Sequence, residues 1–272
     1  MNKERRILVV VLTLTALVIL AWWLSLRREP SYRGRSLTVW LNQYETNRWP
    51  LDKEAEAAIQ HFGSNASPVL LKIMSTHESP VVISLLTHVP SRLRSRLHVP
   101  TPNEYRLKLC SYRRLGASGF RALSEQQARP VVPALIRLLG DPEKDVRYLA
   151  VFALRCLGPV ASEAFPALTN CLSDPEFAVR DDAVKALGAM RAEPERAVPL
   201  IIEFAGKHRW DPILCCDAIN SLREFQTDAK PACPLLVSLL YENDPHIRAA
   251  AASALKEIDP ALADSADKMG LK

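Results

Sequence analysis

The apolar residues in the C-terminal half of this 272-residue chain recur with the period of an α-helix. Three segments place apolar side chains at positions i, i+4, i+7, i+8 and i+11, which fall on one stripe of a helix. These stripes begin at Val146, Val179 and Ile247. The second and third positions of each stripe are alanine, so a neighbouring helix can approach closely there. The pattern therefore predicts three helices that pack against one another through equivalent faces.

The same stripe occurs in three further places, which begin at Leu51, Tyr112 and Leu214. Consecutive starts lie 33 to 35 residues apart, except that 61 residues separate the first two. Since that gap is nearly two periods, a degenerate unit is expected near Val81 to Leu93, with an irregular helix that Pro90 interrupts. Regular spacing of this kind indicates an internal repeat.

A first helix that opens with proline is predicted in each regular repeat, because apolar residues follow the proline at +2, +3, +5 and +6, as after Pro133 and Pro234. Pro133, Pro166 and Pro234 are also each followed 14 positions later by an arginine, which indicates the repeat. The fixed φ of proline suits the first turn of a helix. Between the two helices lie Asp-Pro dipeptides at positions 141, 174, 211 and 244. There the aspartate can cap free N–H groups and the proline can start the second helix. The predicted unit is helix, Asp-Pro turn, helix, and the fold class is all-α.

These features resemble short HEAT-like repeats of the type also found in bilin-lyase-like proteins. The matching elements are the proline of the first helix, the Asp-Pro turn and the Val-Arg pair that opens the second helix, as in Val146-Arg147. The resemblance is strongest over residues 129–260, the regular repeats, and weaker over 51–128, the degenerate repeats. It implies an α-solenoid of about six or seven HEAT-like helical hairpins, whose surface serves mainly for binding.

Residues 7–26 form an apolar run without a charged side chain, from Ile7 to Leu26. At about 1.5 Å per residue, such a helix spans roughly 30 Å, which is the thickness of the hydrocarbon core of a bilayer. Trp22 and Trp23 lie near its end, where indoles favour the membrane interface. We therefore expect one N-terminal transmembrane helix after a basic tail, residues 1–6. A cleaved signal peptide is the rival interpretation, but no small-x-small cleavage site follows the run.

The side of the membrane on which the repeats lie stays open. Positive charges before and after the apolar run balance, so they indicate no orientation. A short basic N-terminus before an apolar run is typical of export signals and favours an extracytoplasmic domain. Six cysteines without an evident pairing pattern instead favour a reducing compartment.

Two segments flank the repeats. Residues 27–50 join the membrane segment to the repeats and contain an amphipathic helix, with Ser36 as its expected cap and one apolar face formed by Leu37, Trp40, Leu41 and Tyr44. Since the first helix of a solenoid needs its outer side covered, we expect this helix to cap the array rather than lie on the bilayer. Residues 261–272 are expected to be a polar C-terminal tail.

Charge is distributed unevenly, with a net charge of +8 over residues 27–129 and −5 over residues 130–272. The basic half contains Arg92, Arg94 and Arg96 in one short stretch. These arginines are candidates for contact with anionic lipid or with an acidic partner. The alternative is that they only keep an irregular connecting segment solvent-exposed.

Arginines also occupy one repeated slot, directly after the first stripe residue: Arg113, Arg147, Arg180 and Arg248. We expect these to be structural, joining turn acids or carbonyls of the same or neighbouring repeat. In the repeat that begins at Leu214 the slot holds Cys215 instead. About two extra residues lengthen the preceding turn, where His208, Arg209 and Trp210 are a candidate partner contact or a tolerated insertion.

Catalytic chemistry is not indicated by the residues. The six cysteines form no Cys-x-x-Cys pair, and His77-Glu78 is a single dipeptide where di-iron HEAT-repeat enzymes have several. We expect no metal, no cofactor and no small-molecule substrate. The function expected is a non-catalytic, membrane-tethered scaffold that binds an unknown protein partner. The alternatives are an enzyme or enzyme subunit of the bilin-lyase-like HEAT class, and nucleic-acid binding through the basic half. Nucleic acid is not expected as a partner, because the regular repeats are net acidic.

Overall fold

The computed structural model of the protein describes residues 29–46 and 53–268. These residues are almost entirely helical, so the predicted all-α class is confirmed. The predicted basic tail and transmembrane segment, including Ile7, Trp22, Trp23 and Leu26, lie outside the described residues.

The helices are numbered here in chain order. They are α1 (Leu37–Thr46), α2 (Lys53–Phe62), α3 (Ala66–Met74), α4 (Pro80–His88), α5 (Ser91–Leu97), α6 (Pro102–Gly119), α7 (Glu125–Ala128), α8 (Val132–Leu138), α9 (Lys144–Leu157), α10 (Phe165–Cys171), α11 (Phe177–Met190), α12 (Pro194–Lys207), α13 (Pro212–Arg223), α14 (Cys233–Leu239), α15 (Pro245–Ile258) and α16 (Pro260–Lys268). Short 3-10 segments join several of them: Gly63–Asn65, Phe120–Ala122, Arg129–Val131, Gly158–Ala164 and Gln226–Ala232.

The helices form hairpins that stack in two layers. The second helices α6, α9, α11, α13 and α15 pack on one another in chain order, and the first helices α3, α8, α10, α12 and α14 each pack on their own second helix. We number these pairs hairpin 1 (α3/α6) to hairpin 5 (α14/α15). The arrangement is a HEAT-like solenoid, but the described residues hold five such hairpins rather than the six or seven predicted. Helix α16 packs on α15 and covers the C-terminal end.

The predicted stripes form the core between neighbouring second helices. Val146, Ala150, Ala153 and Leu154 are fully buried, as are their counterparts in hairpins 3 and 5. Small residues allow this close packing. A Cβ atom added to Gly188 of α11 would lie 2.8 Å from the Cα and Cβ atoms of Ser221 in α13.

The expected irregular helix near residues 81–93 is present and is interrupted at Pro90, but its assignment as a degenerate repeat is wrong. Helices α4 and α5 lie in a long connection inside hairpin 1, and Val81 and Leu85 are exposed instead of facing the core. Helix α6 takes the place beside α3, because Gly116 allows it to approach the backbone of Leu70. The long gap between the first two stripes is therefore an insertion within a repeat.

Helix α1 caps the N-terminal end, as predicted. Its apolar face, Leu37, Trp40, Leu41 and Tyr44, is buried, and the helix packs against both α2 and α6. Helix α2, predicted as a second helix of the array, instead has α1 and the turn Phe120–Ala122 as its main neighbours.

The connection before α1 differs from the prediction. The expected cap Ser36 lies in a small β-hairpin, whose antiparallel strands are β1 (Ser31–Tyr32) and β2 (Arg35–Ser36). Glu29 instead approaches the start of α1, where its carboxylate accepts hydrogen bonds from the backbone N–H and the hydroxyl of Thr38. A carboxylate at a helix N-terminus satisfies free donors and favours the helix dipole.

The Asp-Pro turns are of two kinds. Asp211 and Asp244 cap α13 and α15 directly, and the following proline begins the helix, as predicted. In hairpins 2 and 3 the helix begins later, and Asp141 and Asp174 accept from the backbone N–H of Glu143 and Glu176. The prediction that Pro142 and Pro175 start their helices is therefore wrong.

Among the described residues, one continuous helical stretch, Lys144–Cys171, has the length and apolar composition to cross a membrane. It comprises α9, the 3-10 segment after it and α10, and its buried residues belong to the core of the array.

Candidate binding surface and the arginine ladder

Arg147 connects hairpins 2 and 3. Its Nη1 donates to the carbonyls of Asp141 and Pro142 in its own turn, at 3.0 and 3.2 Å. Its Nε and Nη2 donate to the two carboxylate oxygens of Asp174 in the next turn, at 2.8 and 3.0 Å. Both side chains are nearly buried, with exposed fractions of 13% and 10%. One guanidinium thus fixes the turns of two consecutive hairpins.

The ionisation of this pair follows from its contacts. Burial alone would raise the pKa of Asp174, but hydrogen bonds from Arg147 and from the backbone N–H of Glu176 outweigh it and lower the pKa. The hydrogen bond with Asp174 raises the pKa of Arg147. The charged forms are therefore favoured in the folded protein.

Arg113 makes the equivalent link from hairpin 1 to hairpin 2. Its side chain is 2% exposed, its Nε donates to the carbonyl of Thr76, and its Nη2 pairs with Glu143 in the next turn. Thr76 directly precedes the inserted segment, so its carbonyl substitutes for an own-turn carbonyl. The insertion leaves this contact in place. We call the series of links from the slot arginines to the next turn, Arg113 to Glu143 and Arg147 to Asp174, the arginine ladder.

Arg180 and Arg248 make only the first half of this contact. Arg180 Nη1 donates to the carbonyls of Asp174 and Pro175, at 2.8 and 3.0 Å. Arg248 Nη1 donates to those of Glu242 and Asn243, at 2.7 and 2.8 Å. Neither arginine forms an ion pair with another described residue. Arg248 belongs to the last hairpin, whereas Arg180 has a hairpin after it.

Hairpin 4 continues the ladder differently. Cys215 is fully buried in the arginine slot. Six residues before it, where hairpin 3 has Asp174, lies Arg209. Arg209 Nη2 donates to Ser238 Oγ at 2.6 Å, and its Nε lies 3.0 Å from a carboxylate oxygen of Glu242. Arg209 therefore links hairpin 4 to hairpin 5, and its side chain remains 39% exposed.

The other two residues of the lengthened turn differ in exposure. His208 lies against Phe204, with ring centroids 4.2 Å apart, and its Nδ1 contacts the Phe204 carbonyl. Trp210 is 76% exposed and donates from Nε1 to the carbonyl of Lys207. Of the three candidate contact residues, Trp210 is the one that projects most into solvent.

Three consecutive second helices, α9, α11 and α13, share a cluster of charged residues at the centre of the array. Lys185 of α11 lies 2.8 Å from Asp181 and 2.9 Å from Asp217 of α13. Arg155 of α9 lies 3.4 Å from Asp182. We call these five residues the acidic cluster, since it has three carboxylates and two cations.

Burial changes the ionisation of the acidic cluster. Burial, and after it the nearby carboxylate of Asp217, raises the pKa of Asp181 to about 6. Burial also raises the pKa of Asp182, whose side chain is 5% exposed. Among the described residues, Asp181 Oδ1 and Asp182 Oδ2 have no hydrogen-bond partner. Since buried polar atoms are rarely unpaired, these two oxygens have the capacity to accept further donors.

Sequence analysis did not identify the acidic cluster. The available signal was the pair Asp181-Asp182 with Lys185 four residues after Asp181. The contribution of Asp217 was not visible, because it depends on the register between α11 and α13.

The three clustered arginines of the basic half do not act alike. Arg94 turns back and donates to the carbonyls of Leu86 and Val89, so it joins α5 to α4. Arg92 and Arg96 are exposed. Two of the three candidates are therefore accessible to a lipid head group or an acidic surface.

The other residues that were considered for catalysis or metal binding have structural contacts. His77 pairs with Asp141 and Glu78 with Arg106. Within the described ranges, no group of three or more His, Cys, Asp or Glu residues is arranged to hold a metal ion. All six cysteines are free thiols. Burial raises the pKa of Cys171 to about 11 and that of Cys215 to about 12, which makes them poor nucleophiles at neutral pH.

Comparison with known proteins agrees with the repeat architecture. A family model of HEAT repeats matches residues 131–214. No curated protein matches the chain. Among solved structures, a designed armadillo repeat protein in complex with the peptide (KR)4 is 14% identical with a TM-score of 0.46, covering 83% of this chain and 100% of that one. The complex of CpcE and CpcF of phycocyanin lyase from Nostoc sp. PCC7120 is 20% identical with a TM-score of 0.41, covering 84% of this chain and 79% of that one.

Proposed function

We propose that this protein is a membrane-tethered scaffold that binds a protein partner along the surface of its second helices. The observation that carries the proposal is the acidic cluster, which lies at the centre of that surface and has three carboxylates against two cations; two of its carboxylate oxygens accept no hydrogen bond from the described residues. Charged groups of this kind are costly to bury unless they are paired. Asp217 is the most exposed carboxylate of the cluster, and a cationic side chain of a partner would pair with it.

The neighbouring residues suit a protein interface. Tyr148 and Phe152 of α9 are partly exposed beside Arg155, which lies 5.1 Å from the Phe152 ring. Aromatic residues and arginine are enriched in the energetic centres of interfaces. The surface thus combines an aromatic edge with an acidic centre.

Affinity purification of the full chain from native membranes tests the proposal. Asn220→Arg adds a bulky cation to an exposed position of α13 next to the cluster, whereas Arg137→Glu changes an exposed position of α8 in the other layer. We expect a saturable partner to co-purify with the wild type and with the Arg137→Glu variant, and to be lost with Asn220→Arg. Equal recovery with all three proteins would refute the choice of surface.

The membrane part of the proposal rests on the uncharged run Ile7–Leu26. Helices α4 and α5 support it, because exposed Val81, Leu85 and Leu97 accompany the exposed arginines Arg92 and Arg96. Apolar and cationic side chains together favour the surface of an anionic bilayer.

Two measurements test this part. The full chain should remain in the membrane fraction after alkaline extraction, and release into the soluble fraction would contradict the anchor. A variant without residues 1–26 should float better with anionic than with neutral vesicles, and Arg92→Glu with Arg96→Glu should abolish the difference. Equal flotation with both vesicles would contradict the lipid contact.

A further inference from the structure

The arginine ladder has an incomplete rung at Arg180. In hairpins 1 and 2 the slot arginine binds carbonyls on its own side and a carboxylate of the next turn. Arg180 binds its own-turn carbonyls through Nη1 as Arg147 does. The next turn, however, presents the cation Arg209 at the position equivalent to Asp174.

Arg180 lines a cavity between α10 and α12. It has a volume of about 700 Å³ and is lined by Arg180 together with residues of α10, α12 and the turn after α10. Its charged lining residues are Asp174, Arg180, Glu203 and Lys207, and His208 closes the end next to the lengthened turn.

Both acidic residues that line the cavity already have ion-pair partners. Asp174 is bound by both edge nitrogens of Arg147, and Glu203 lies 2.6 Å from Lys207. The Nε–Nη2 edge of Arg180 is therefore left without a carboxylate among the described residues. The acid of the lengthened turn, Asp211, caps α13 instead, where it accepts from the backbone N–H groups of Ile213 and Leu214.

We infer that this cavity is a binding site for a carboxylate, which occupies the Nε–Nη2 edge of Arg180 as Asp174 occupies that of Arg147. The observed pair fixes the expected geometry, with two N–H···O hydrogen bonds of 2.8 and 3.0 Å. Lys207 and His208 line the same cavity; the charge of Lys207 is balanced by Glu203, and the Nε2 atom of His208 offers a further polar contact. A planar guanidinium edge matches the two oxygens of a carboxylate.

The occupant is an acidic side chain of a bound protein segment. The inference rests on the proposed scaffold function only in assigning the carboxylate to a protein. The cavity lies at the turns, on α10 and α12, whereas the acidic cluster lies on the second helices. If the peptide does not bind the cavity, the proposal for the second-helix surface is unaffected. If that surface proves not to bind a partner, the cavity can still be tested with the peptide.

Binding of capped peptides to the full chain in detergent tests the site. The probes are an alanine-based peptide with two glutamates, the same peptide with glutamines, and inorganic phosphate as a competitor. We expect the glutamate peptide to bind at least about tenfold more tightly than the glutamine peptide, as for a charge-assisted contact. Arg180→Gln should remove that preference.

Arg248→Gln is the matched control, since it removes the same two own-turn hydrogen bonds at a distance from the cavity. It should leave the preference unchanged. Lys207→Glu is a second variant, at an exposed position, and should lower the affinity for the glutamate peptide about tenfold or more. Equal affinity for the two peptides, absence of binding, or equal losses with Arg180→Gln and Arg248→Gln would overturn the inference. Displacement by phosphate at far lower concentration than by free glutamate would instead identify a phosphate site.

Discussion

Asp174 accepts two hydrogen bonds from Arg147 across the junction between two hairpins, while its backbone carbonyl accepts another from Arg180. A single turn residue is thus the contact point of two consecutive arginines. The ladder is continuous from Arg113 to Asp174, stops at Arg180 and resumes with Arg209.

Arg147→Ala should lower the free energy of unfolding by about 3 kcal/mol, because it leaves the nearly buried Asp174 carboxylate unpaired. Arg248→Ala removes only hydrogen bonds to carbonyls and should cost about 1 kcal/mol. Chemical denaturation of both variants gives the comparison. Equal costs would show that the carboxylate contact contributes nothing beyond the carbonyl contacts.

Asp181→Asn should stabilise the protein more at pH 7.5 than at pH 4. The pKa of Asp181 is raised to about 6 in the folded protein, so its ionised form is disfavoured relative to the unfolded chain. The penalty is absent below the unfolded value near 3.8 and complete above the folded value. The expected gain at pH 7.5 is on the order of 1 kcal/mol, because Lys185 also loses one of its two partners. A pH-independent effect in thermal unfolding would contradict this account.

Gly188→Ala should destabilise the array by about 1–3 kcal/mol, because the new methyl group meets the backbone of Ser221 and must separate α11 from α13. Gly206 provides the control, since an added Cβ there meets no atom within 4 Å. Gly206→Ala should stabilise α12 by up to about 1 kcal/mol through helix propensity. Opposite signs in urea unfolding are expected, and a stabilising Gly188→Ala would contradict the close packing.

Trp210→Ala should change the free energy of unfolding by less than about 0.5 kcal/mol, since the side chain is 76% exposed. If the turn contacts a partner, the same variant should lower partner recovery in affinity purification. Recovery equal to that of the wild type would identify the lengthened turn as a tolerated insertion.

The regular part of the fold was predictable because its information is local. Each stripe lies within one helix, and the positions of Val146 and Ala150 follow from helical geometry alone. The face of α1 was predictable for the same reason. The repeated arginine slot also indicated contacts with turn acids and carbonyls, which Arg113 and Arg147 make.

The remaining features depend on contacts between distant segments. The insertion between α3 and α6 is about as long as one repeat, so the spacing alone predicted a repeat there. The exposure of Val81 distinguishes an insertion from a repeat unit. The acidic cluster requires Asp217 to lie beside Lys185 on the next helix. The Nε–Nη2 edge of Arg180 has no carboxylate partner among the described residues, and this depends on the turn after α12, which begins at His208, 28 positions along the chain.

Site-specific photocrosslinking in cells tests the central claim most directly. A photoreactive amino acid is placed at Asn220 on the second-helix surface, at Lys230 before α14 and at Arg137 on α8, all exposed positions. The account predicts a discrete crosslinked protein from Asn220, which Asp182→Asn diminishes, and none from the other two positions. The same product from all three positions, or from Lys230 and Arg137 alone, would contradict binding along the second helices.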